Sequence, residues 1–245
     1  MILEVCCGDL QSVLAAKAGG AQRIELCSAL SEGGLTPSLG LIEEAVASGI
    51  PAVNVLIRPR KGDFLYSEDE IRMMVSDIRH AVSAGADGVV IGALTPEGDI
   101  DTDACRRMIE AAEGASVTFH RAFDLCRDPE KALEDIIALG CDRILTSGLA
   151  PAAPEGIATL RHLNSLAAGR IILLAGGGIT SSNAAAVLSG AGLTEIHASA
   201  KKTVGSDMRF RRSDVSMGAP GADEYSRPVT DPAEVARIIQ AINSL

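Results

Sequence analysis

Two short segments of the sequence share the order glutamate, any residue, cysteine. They are ILEVC, which holds Glu4 and Cys6, and RIELC, which holds Glu25 and Cys27. Because side chains alternate along a strand, each segment would place its glutamate and its cysteine on one face of a sheet. Neighbouring parallel strands lie about 4.8 Å apart, so the two sulfurs could approach each other closely. Soft thiolates favour Cu(I) over harder cations, and the pattern therefore indicates a candidate two-cysteine Cu(I) site.

The same four residues also have a structural interpretation. Free cysteine is among the most buried residue types, so the two sulfurs could simply fill a core. A buried carboxylate is costly unless it has a partner, so the two glutamates could belong to a salt-bridged plug inside a barrel. The candidate partners, which end the third and fifth predicted strands, are Arg58, His120 and Arg121. Cys7 must face away from Cys6, so this adjacent pair is not itself a chelate.

A glycine run after the seventh predicted strand indicates an anion site. Gly176, Gly177 and Gly178 precede a predicted helix, at whose start backbone N–H groups can cradle an anion. Barrel proteins often bind phosphate after strands seven and eight, and His197 and Ser199 lie at the end of the eighth strand. The alternative is a tight turn without a ligand. Further candidate binding residues, which lie at or just after other strand ends, are Arg58, Arg60, Arg121 and Ser147.

Few residues are candidates for acid–base chemistry. Of the four histidines, His80 and His162 lie in helical stretches, whereas His120 and His197 lie at strand ends and could transfer protons near neutral pH. The candidate catalytic residues are Glu4, Glu25, His120 and Asp124. The chain contains no HxH or HExxH motif, and no predicted strand ends in lysine. These absences argue against the common zinc hydrolases and against a Schiff-base aldolase.

Eight short apolar runs rich in β-branched residues position these side chains. Each interval between two runs holds a helical stretch, so the pattern predicts eight βα units. Eight units in about 250 residues are typical of a (β/α)8 TIM barrel, whose active site lies at the C-terminal ends of the strands. An open doubly wound sheet is the alternative, but the first turn, CCGDLQS, lacks the GxGxxG fingerprint. The predicted strands cover residues 2–6, 23–27, 53–57, 88–92, 116–120, 142–146, 171–175 and 195–199.

Helix ends can also be predicted from the sequence. Ser67 and Glu70 form a capping-box pattern, and Asp128 and Asp231 each precede a first-turn proline. Glycines in positions typical of helix C-termini are Gly20, Gly85, Gly140 and Gly192. No linker divides the chain, so we expect one α/β domain over residues 1–245. Its one long irregular segment lies at about 201–230, and such loops are usually functional or mobile.

Composition excludes several classes of protein. The 245 residues carry 32 acidic and 22 basic side chains, a net charge of −10, with only six aromatic residues. An acidic chain with so few rings is a poor candidate for binding nucleic acid. MILEV has no basic n-region, and no apolar run is long enough to cross a bilayer, so we expect a cytoplasmic protein without a membrane partner. The remaining cysteines, Cys105, Cys126 and Cys141, are interpreted as structural.

The motifs at the strand ends resemble the CutC family of copper homeostasis proteins. The resemblance implies a cytoplasmic barrel, a homo-oligomer (dimer or tetramer) and a link to copper handling. The copper ligands proposed in that family match Cys6 and Cys27, while no reaction follows from the resemblance. MRFR at 208–211 and SMGA at 216–219 are similar to the family's C-terminal tail. The matching segments are EVCCGD (4–9), GGAQRIELCSALSEGGLTPS (19–38), IRPRKGDFLYS (57–67), TFHRAFD (118–124), RILTSG (143–148), GGGIT (176–180) and EIHASA (195–200).

Two functions from different classes are consistent with these residues. The first is a protein that buffers or delivers copper by binding Cu(I) through two thiolates at the barrel mouth. The second is an enzyme that acts on a small anionic, for example phosphorylated, metabolite. A copper buffer needs two thiols but not the carboxylates, imidazole and guanidinium groups around the same mouth, which are typical of substrate recognition and acid–base chemistry. A barrel with a vestigial site is a third interpretation.

Overall fold

Eight parallel strands close into a barrel in the computed structural model, which describes residues 1–212, 214–215, 217 and 223–245. Each strand pairs with the next along the chain, and the eighth pairs with the first. The predicted TIM barrel is therefore confirmed. The strands are β1 (Ile2–Cys7), β2 (Arg23–Leu26), β3 (Val53–Leu56), β4 (Gly88–Ile91), β5 (Ser116–Phe119), β6 (Arg143–Thr146), β7 (Ile172–Gly176) and β8 (Glu195–Ala198).

A helix follows every strand and covers the outside of the barrel. The predicted capping box of Ser67 and Glu70 forms at the start of α3, and Asp128 and Asp231 cap α5 and α8. No helix in the described part of the chain is long and apolar enough to cross a bilayer. The helices are α1 (Leu10–Ala18), α2 (Leu39–Ala47), α3 (Glu68–Ser83), α4 (Thr102–Ala111), α5 (Pro129–Leu139), α6 (Ile157–Ala167), α7 (Ala184–Ala191) and α8 (Pro232–Asn243).

The alternation of side chains along the strands separates two apolar regions. The larger one lies between the strands and the helices and includes Cys7, which is fully buried. A smaller cluster consists of Cys6, Cys27, Leu56 and Val90, with Leu30 packed against it. Cys6 and Cys7 therefore lie on opposite faces of β1, as the strand geometry predicts. All six cysteines are buried and free of disulfide bonds.

The segment after β8 is more regular than the sequence indicates. Two antiparallel strands, β9 (Lys201–Gly205) and β10 (Ser226–Thr230), pair at the two ends of the stretch that we expected to be irregular. The expectation of an irregular 201–230 is thus wrong at both ends, because the polar, exposed residues of β9 carry no apolar alternation that would reveal a strand. Ser216, Gly218 and Ala219 of the SMGA motif lie outside the described residues.

Candidate functional site

A network of buried ion pairs crosses the barrel interior below the cysteines. Glu4 is fully buried, and its Oε2 accepts from Arg23 Nε at 2.6 Å and from Asn54 Nδ2 at 3.2 Å. Arg23 also contacts Glu195 Oε2 at 2.5 Å, and Arg143 Nε lies 3.0 Å from the same oxygen. These contacts supply the partners that buried carboxylates require. The predicted partners, Arg58, His120 and Arg121, are wrong for Glu4, because Arg23 lies beside it in the register of β1 and β2.

His197 connects this network to the mouth of the barrel. Its Nδ1 lies 2.8 Å from Glu4 Oε1, and its Nε2 lies 3.9 Å from Glu25 Oε2. Burial raises the pKa of Glu4, but His197 and Arg23 outweigh it and lower that pKa to about 2. Burial alone would lower the pKa of His197, and the two carboxylates raise it instead. An ionised Glu4 can only accept a hydrogen bond, so Nδ1 of His197 is the nitrogen that carries a proton.

Cys6 and Cys27 end adjacent strands with their sulfurs in contact. The two Sγ atoms lie 3.6 Å apart, and Cys6 Sγ donates to Glu25 Oε2 at 3.3 Å. The hydrogen bond with Cys27, burial and the Glu25 carboxylate together raise the pKa of the Cys6 thiol well above its ordinary value. Burial also raises the pKa of Glu25. The structure thus brings together both predicted cysteines and one predicted glutamate.

Two of the cavities that open at this end of the barrel share Cys6, Arg121 and His197. The first, of about 340 Å³, is also bordered by Glu25, Arg58, Phe64 and His120. The second, of about 560 Å³, is also bordered by Gly177, Gly178, Ser199 and Lys201. We call the first the inner cavity and the second the glycine-turn cavity. The predicted site residues that border only one cavity therefore form two groups, and Cys6, Arg121 and His197 are common to both cavities.

His120 is buried beside the inner cavity with one nitrogen unused. Its Nδ1 accepts from the backbone N–H of Ala122 at 3.1 Å, whereas Nε2 has no partner in the described part of the chain. The Phe64 ring packs against the imidazole, with centroids 4.8 Å apart. Gly92 leaves the necessary space, since a Cβ there would lie 2.5 Å from His120 Cε1. A neutral His120 therefore presents an unused Nε2–H donor.

The two arginines that follow β3 have separate environments. The Arg58 guanidinium is buried and donates to the carbonyls of Glu32, Gly34 and Gly62 at 2.8–3.0 Å, so it anchors loops beside the inner cavity. Arg60 points away from the mouth, because its Nε donates to Glu70 Oε1 at 2.6 Å on the surface. Arg60 was predicted to bind an anion, and the structure does not bring it to either cavity.

Arg121, Asp124 and Ser147 form one unit above β5 and β6. Arg121 donates to Asp124 Oδ2 at 2.7 Å and to Ser147 Oγ at 2.9 Å. Asp124 also accepts from Thr146 Oγ1 at 2.5 Å and from the backbone N–H of Ser147 at 3.1 Å. Both carboxylate oxygens are occupied, so Asp124, which borders the inner cavity, holds Arg121 over the two cavities. Ser147 lies beneath Arg121 and borders neither cavity.

Two of the three predicted glycines, Gly177 and Gly178, border the glycine-turn cavity. Gly176 is the last residue of β7 and packs against Leu145, where a Cβ would lie 2.6 Å from Cδ1. Gly177 has a φ of +100°, which favours glycine, and a Cβ there would lie 3.3 Å from Arg121 Nη1. Gly177 and Gly178 therefore face the cavity beside Arg121, whereas Arg58, another predicted binding residue, borders the inner cavity instead.

Comparison with known proteins decides the family. A sequence model of the CutC family matches residues 1–202. The chain belongs to the CutC family. The resemblance that the strand-end motifs indicated is thus confirmed over most of the chain.

Named relatives of this CutC-family chain come from bacteria and mammals. A CutC-family protein of Bacteroides thetaiotaomicron is 52% identical over 243 residues, with 98% of each chain covered. A human protein named copper homeostasis protein cutC homolog is 49% identical, covering 98% of this chain and 88% of the human one. A crystal structure of a CutC protein from Streptococcus agalactiae superposes with a TM-score of 0.78 at 34% identity, covering 81% of this chain and 98% of that one.

Several residues that organise the site of this CutC-family chain were not predicted from the sequence. They are Arg23, Asn54, Arg143 and Glu195, all buried or nearly so inside the barrel, together with Phe64 against His120. The alternation of side chains along each strand was the sequence signal that could have identified the first four of these residues. Arg23 precedes Glu25 by two residues, as Glu195 precedes His197, so each pair shares one face. A search confined to strand ends overlooks the layer below them.

The buried imidazole predicts a pH-dependent stability. Burial and the nearby Arg58 lower the pKa of His120 to about 3, far below that of an unfolded histidine. As the pH falls below about 6.5 the unfolded chain takes up this proton and the folded chain does not, so the free energy of unfolding falls, by about 2 kcal/mol at pH 5. The measurement is the free energy of unfolding in urea at pH 7.5 and at pH 5. Between these two values it should fall by about 2 kcal/mol less in His120→Gln than in wild type.

His80→Gln is the matched control, because it replaces a histidine exposed on α3. Its free energy of unfolding should follow the wild-type pH profile. An unchanged slope in His120→Gln would show that His120 is protonated in the folded chain.

Proposed function

We propose that this chain binds one Cu(I) ion between the thiolates of Cys6 and Cys27 and takes part in copper handling. The observation that carries the proposal is the 3.6 Å separation of the two sulfurs. The human and mouse relatives are each named copper homeostasis protein cutC homolog, and these names also support a role in copper handling.

The separation of the sulfurs suits a shared metal ion. Metal–thiolate bonds of about 2.3 Å allow two sulfurs on one ion to lie up to about 4.6 Å apart. The sulfurs of Cys6 and Cys27 can therefore spread around an ion by side-chain rotation alone. Leu56 and Val90 form an apolar cluster with the two cysteines, and Leu30 packs against it. Soft sulfur ligands favour Cu(I) over harder cations.

The pair also offers a route for the ion and for the proton that it displaces. Cys6 is 8% exposed and borders both cavities, whereas Cys27 is fully buried behind it. Copper would reach Cys6 first and then Cys27. Glu25 already accepts a hydrogen bond from the Cys6 thiol, so its carboxylate is placed to receive that proton when the thiolate forms.

Competition for Cu(I) against a coloured chelator, under anaerobic reducing conditions, tests this function. Wild type is expected to take up one Cu(I) per chain, and the variant carrying both Cys6→Ser and Cys27→Ser is expected to take up none. Cys126→Ser is the matched control, because Cys126 is buried and borders neither cavity. Retention of one Cu(I) by the double variant would contradict the proposal.

A second candidate function is recognition of a small anion in the glycine-turn cavity. Gly177, Gly178 and Ser199 bring backbone around an opening that Arg121 and Lys201 also border. Arg121, Lys201 and Arg237 favour a negative ligand, although Asp231 and Glu234 border the same cavity.

A thermal-shift measurement with inorganic phosphate and with phosphorylated metabolites tests this candidate. A ligand that binds the folded chain should raise the melting temperature. The rise should disappear in Arg121→Met and persist in Arg60→Met, whose guanidinium lies outside both cavities. No rise in wild type with any of these anions would exclude the candidate.

A further inference from the structure

We propose that Cys6, Glu25 and His197 form a site for a borderline divalent cation such as Zn²⁺, with one coordination position open to the inner cavity. This site shares Cys6 with the two-thiolate Cu(I) site, but it does not depend on the existence of the Cu(I) site. Its ligands are one sulfur, one oxygen and one nitrogen, a set that suits Zn²⁺ better than Cu(I).

The three side chains come from neighbouring strands of the closed barrel. β8, β1 and β2 lie side by side and supply His197, Cys6 and Glu25 respectively. One ligand atom from each of the three lies within 4.8 Å of the other two, and all three side chains are buried or nearly so. Among the described residues, no other group of three histidine, cysteine or acidic side chains meets this condition. The cluster is therefore a specific feature of the barrel mouth.

The distances fit a tetrahedral ion after small movements. Zinc bonds of about 2.0–2.3 Å place neighbouring tetrahedral ligands about 3.3–3.8 Å apart. Cys6 Sγ lies 3.3 Å from Glu25 Oε2, and that oxygen lies 3.9 Å from His197 Nε2. The third separation, at most 4.8 Å, needs a closure of about 1 Å, which rotation of the Cys6 or His197 side chain can supply.

Glu4 fixes His197 in the orientation that a metal requires. The hydrogen bond from Nδ1 to Glu4 Oε1, 2.8 Å long, directs Nε2 toward Glu25. Arg23 and Asn54 in turn hold the Glu4 carboxylate in place. A carboxylate on the far nitrogen of a ligating imidazole is the usual outer support of zinc sites, where it sets the tautomer and strengthens the ligand. His197 Nε2 is thereby left facing Glu25 and Cys6, in the position of a ligand.

The open position determines the class of ligand that the ion would hold. Cys6, Glu25 and His197 all border the inner cavity of about 340 Å³, and three protein ligands beside an open space are typical of catalytic rather than structural zinc. Arg58 Nε and His120 Nε2 are buried donors without an acceptor in the described part of the chain, and both residues border this cavity. A compact ligand with carboxylate or carbonyl oxygens would satisfy the ion and these donors together.

Titration of the metal-free protein with Co²⁺, under anaerobic conditions with a phosphine reductant, tests the site. Wild type is expected to bind one Co²⁺ with the charge-transfer band of a thiolate ligand and the strong visible bands of tetrahedral cobalt, and Zn²⁺ should displace it. His197→Gln keeps an amide that can donate to Glu4, and it is expected to weaken Co²⁺ binding at least 100-fold. Glu25→Gln should have a similar effect and serves if the first variant fails to fold, as judged by circular dichroism.

Two comparisons separate this site from the Cu(I) site. Cys27→Ser should bind Co²⁺ within about threefold of wild type while losing Cu(I), because Cys27 is a ligand of the Cu(I) site alone. His197→Gln should show the opposite pattern and keep its Cu(I) affinity. Absence of Co²⁺ binding by wild type, or loss of the cobalt bands in Cys27→Ser with their retention in His197→Gln, would overturn the proposal. The Cu(I) titrations of the same variants report separately on the two-thiolate site.

Discussion

Replacement of Arg23 by methionine is expected to lower the free energy of unfolding by about 3–5 kcal/mol. Arg23 is 6% exposed and joins Glu4 and Glu195 across the barrel interior. Methionine fills a similar volume, so little of the loss comes from a cavity. The loss of stability arises because the buried carboxylates of Glu4 and Glu195 both lose their shared cation. Glu4 then keeps only Asn54 and His197 as hydrogen-bond partners. Urea unfolding at neutral pH measures the change.

The matched control for this variant is Arg107→Met on the surface. Arg107 pairs with Glu68 through both ends of its guanidinium, but both side chains are substantially exposed. Water screens such a pair, so its loss is expected to lower the free energy of unfolding far less than the loss of Arg23 does. Equal losses in the two variants would contradict the role of Arg23 as the centre of a buried network.

The second large effect concerns copper. Cys6→Ser and Cys27→Ser are each expected to weaken Cu(I) binding at least 100-fold, since loss of a direct ligand exceeds the 10–100-fold cost of losing an outer support. The sulfurs act as a pair, so a single thiolate keeps no stable two-coordinate site. Each single variant should therefore lose nearly as much affinity as the double variant. Chelator competition on all three variants measures this non-additivity.

Cys105→Ser is a second control for the copper titrations, because its thiol is fully buried between the barrel and the helices. It should keep wild-type Cu(I) affinity when folded. Independent, additive losses of Cu(I) affinity in the two single variants would contradict a site in which the two thiolates act as a pair.

The architecture was predictable because it depends on local patterns. Strands β1 to β8 lie within two residues of the eight predicted runs at each end. Glycines such as Gly140 and Gly192 end helices with positive φ, as the sequence indicates. The contact between Cys6 and Cys27 was also accessible, since it follows from alternation and from the adjacency of the first two strands.

The partners of the buried carboxylates were not predictable by the same reasoning. Which cation reaches Glu4 depends on strand register and on depth in the barrel, and the register places Arg23 beside it. Arg58 has the right charge near the right end of β3, but backbone carbonyls of two loops bind its guanidinium. Loop conformation decides that outcome, and no periodic pattern encodes it.

The division of the site into two cavities also depends on tertiary packing. His197 was predicted to bind an anion together with the glycine turn; it borders the glycine-turn cavity, and its imidazole also lies between Glu4 and Glu25. Phe64 reaches His120 from the loop after β3, although the two residues are far apart in the sequence. Such long-range contacts arise from chain closure into the barrel and leave no local signature.

X-ray absorption at the copper edge of protein loaded with one equivalent of Cu(I) tests the central claim most directly. Wild type is predicted to show two sulfur neighbours around copper, and Cys27→Ser, loaded to the extent that it binds, is predicted to show only one. A copper environment of nitrogen and oxygen alone in wild type, or a sulfur shell that Cys27→Ser leaves unchanged, would contradict binding between Cys6 and Cys27.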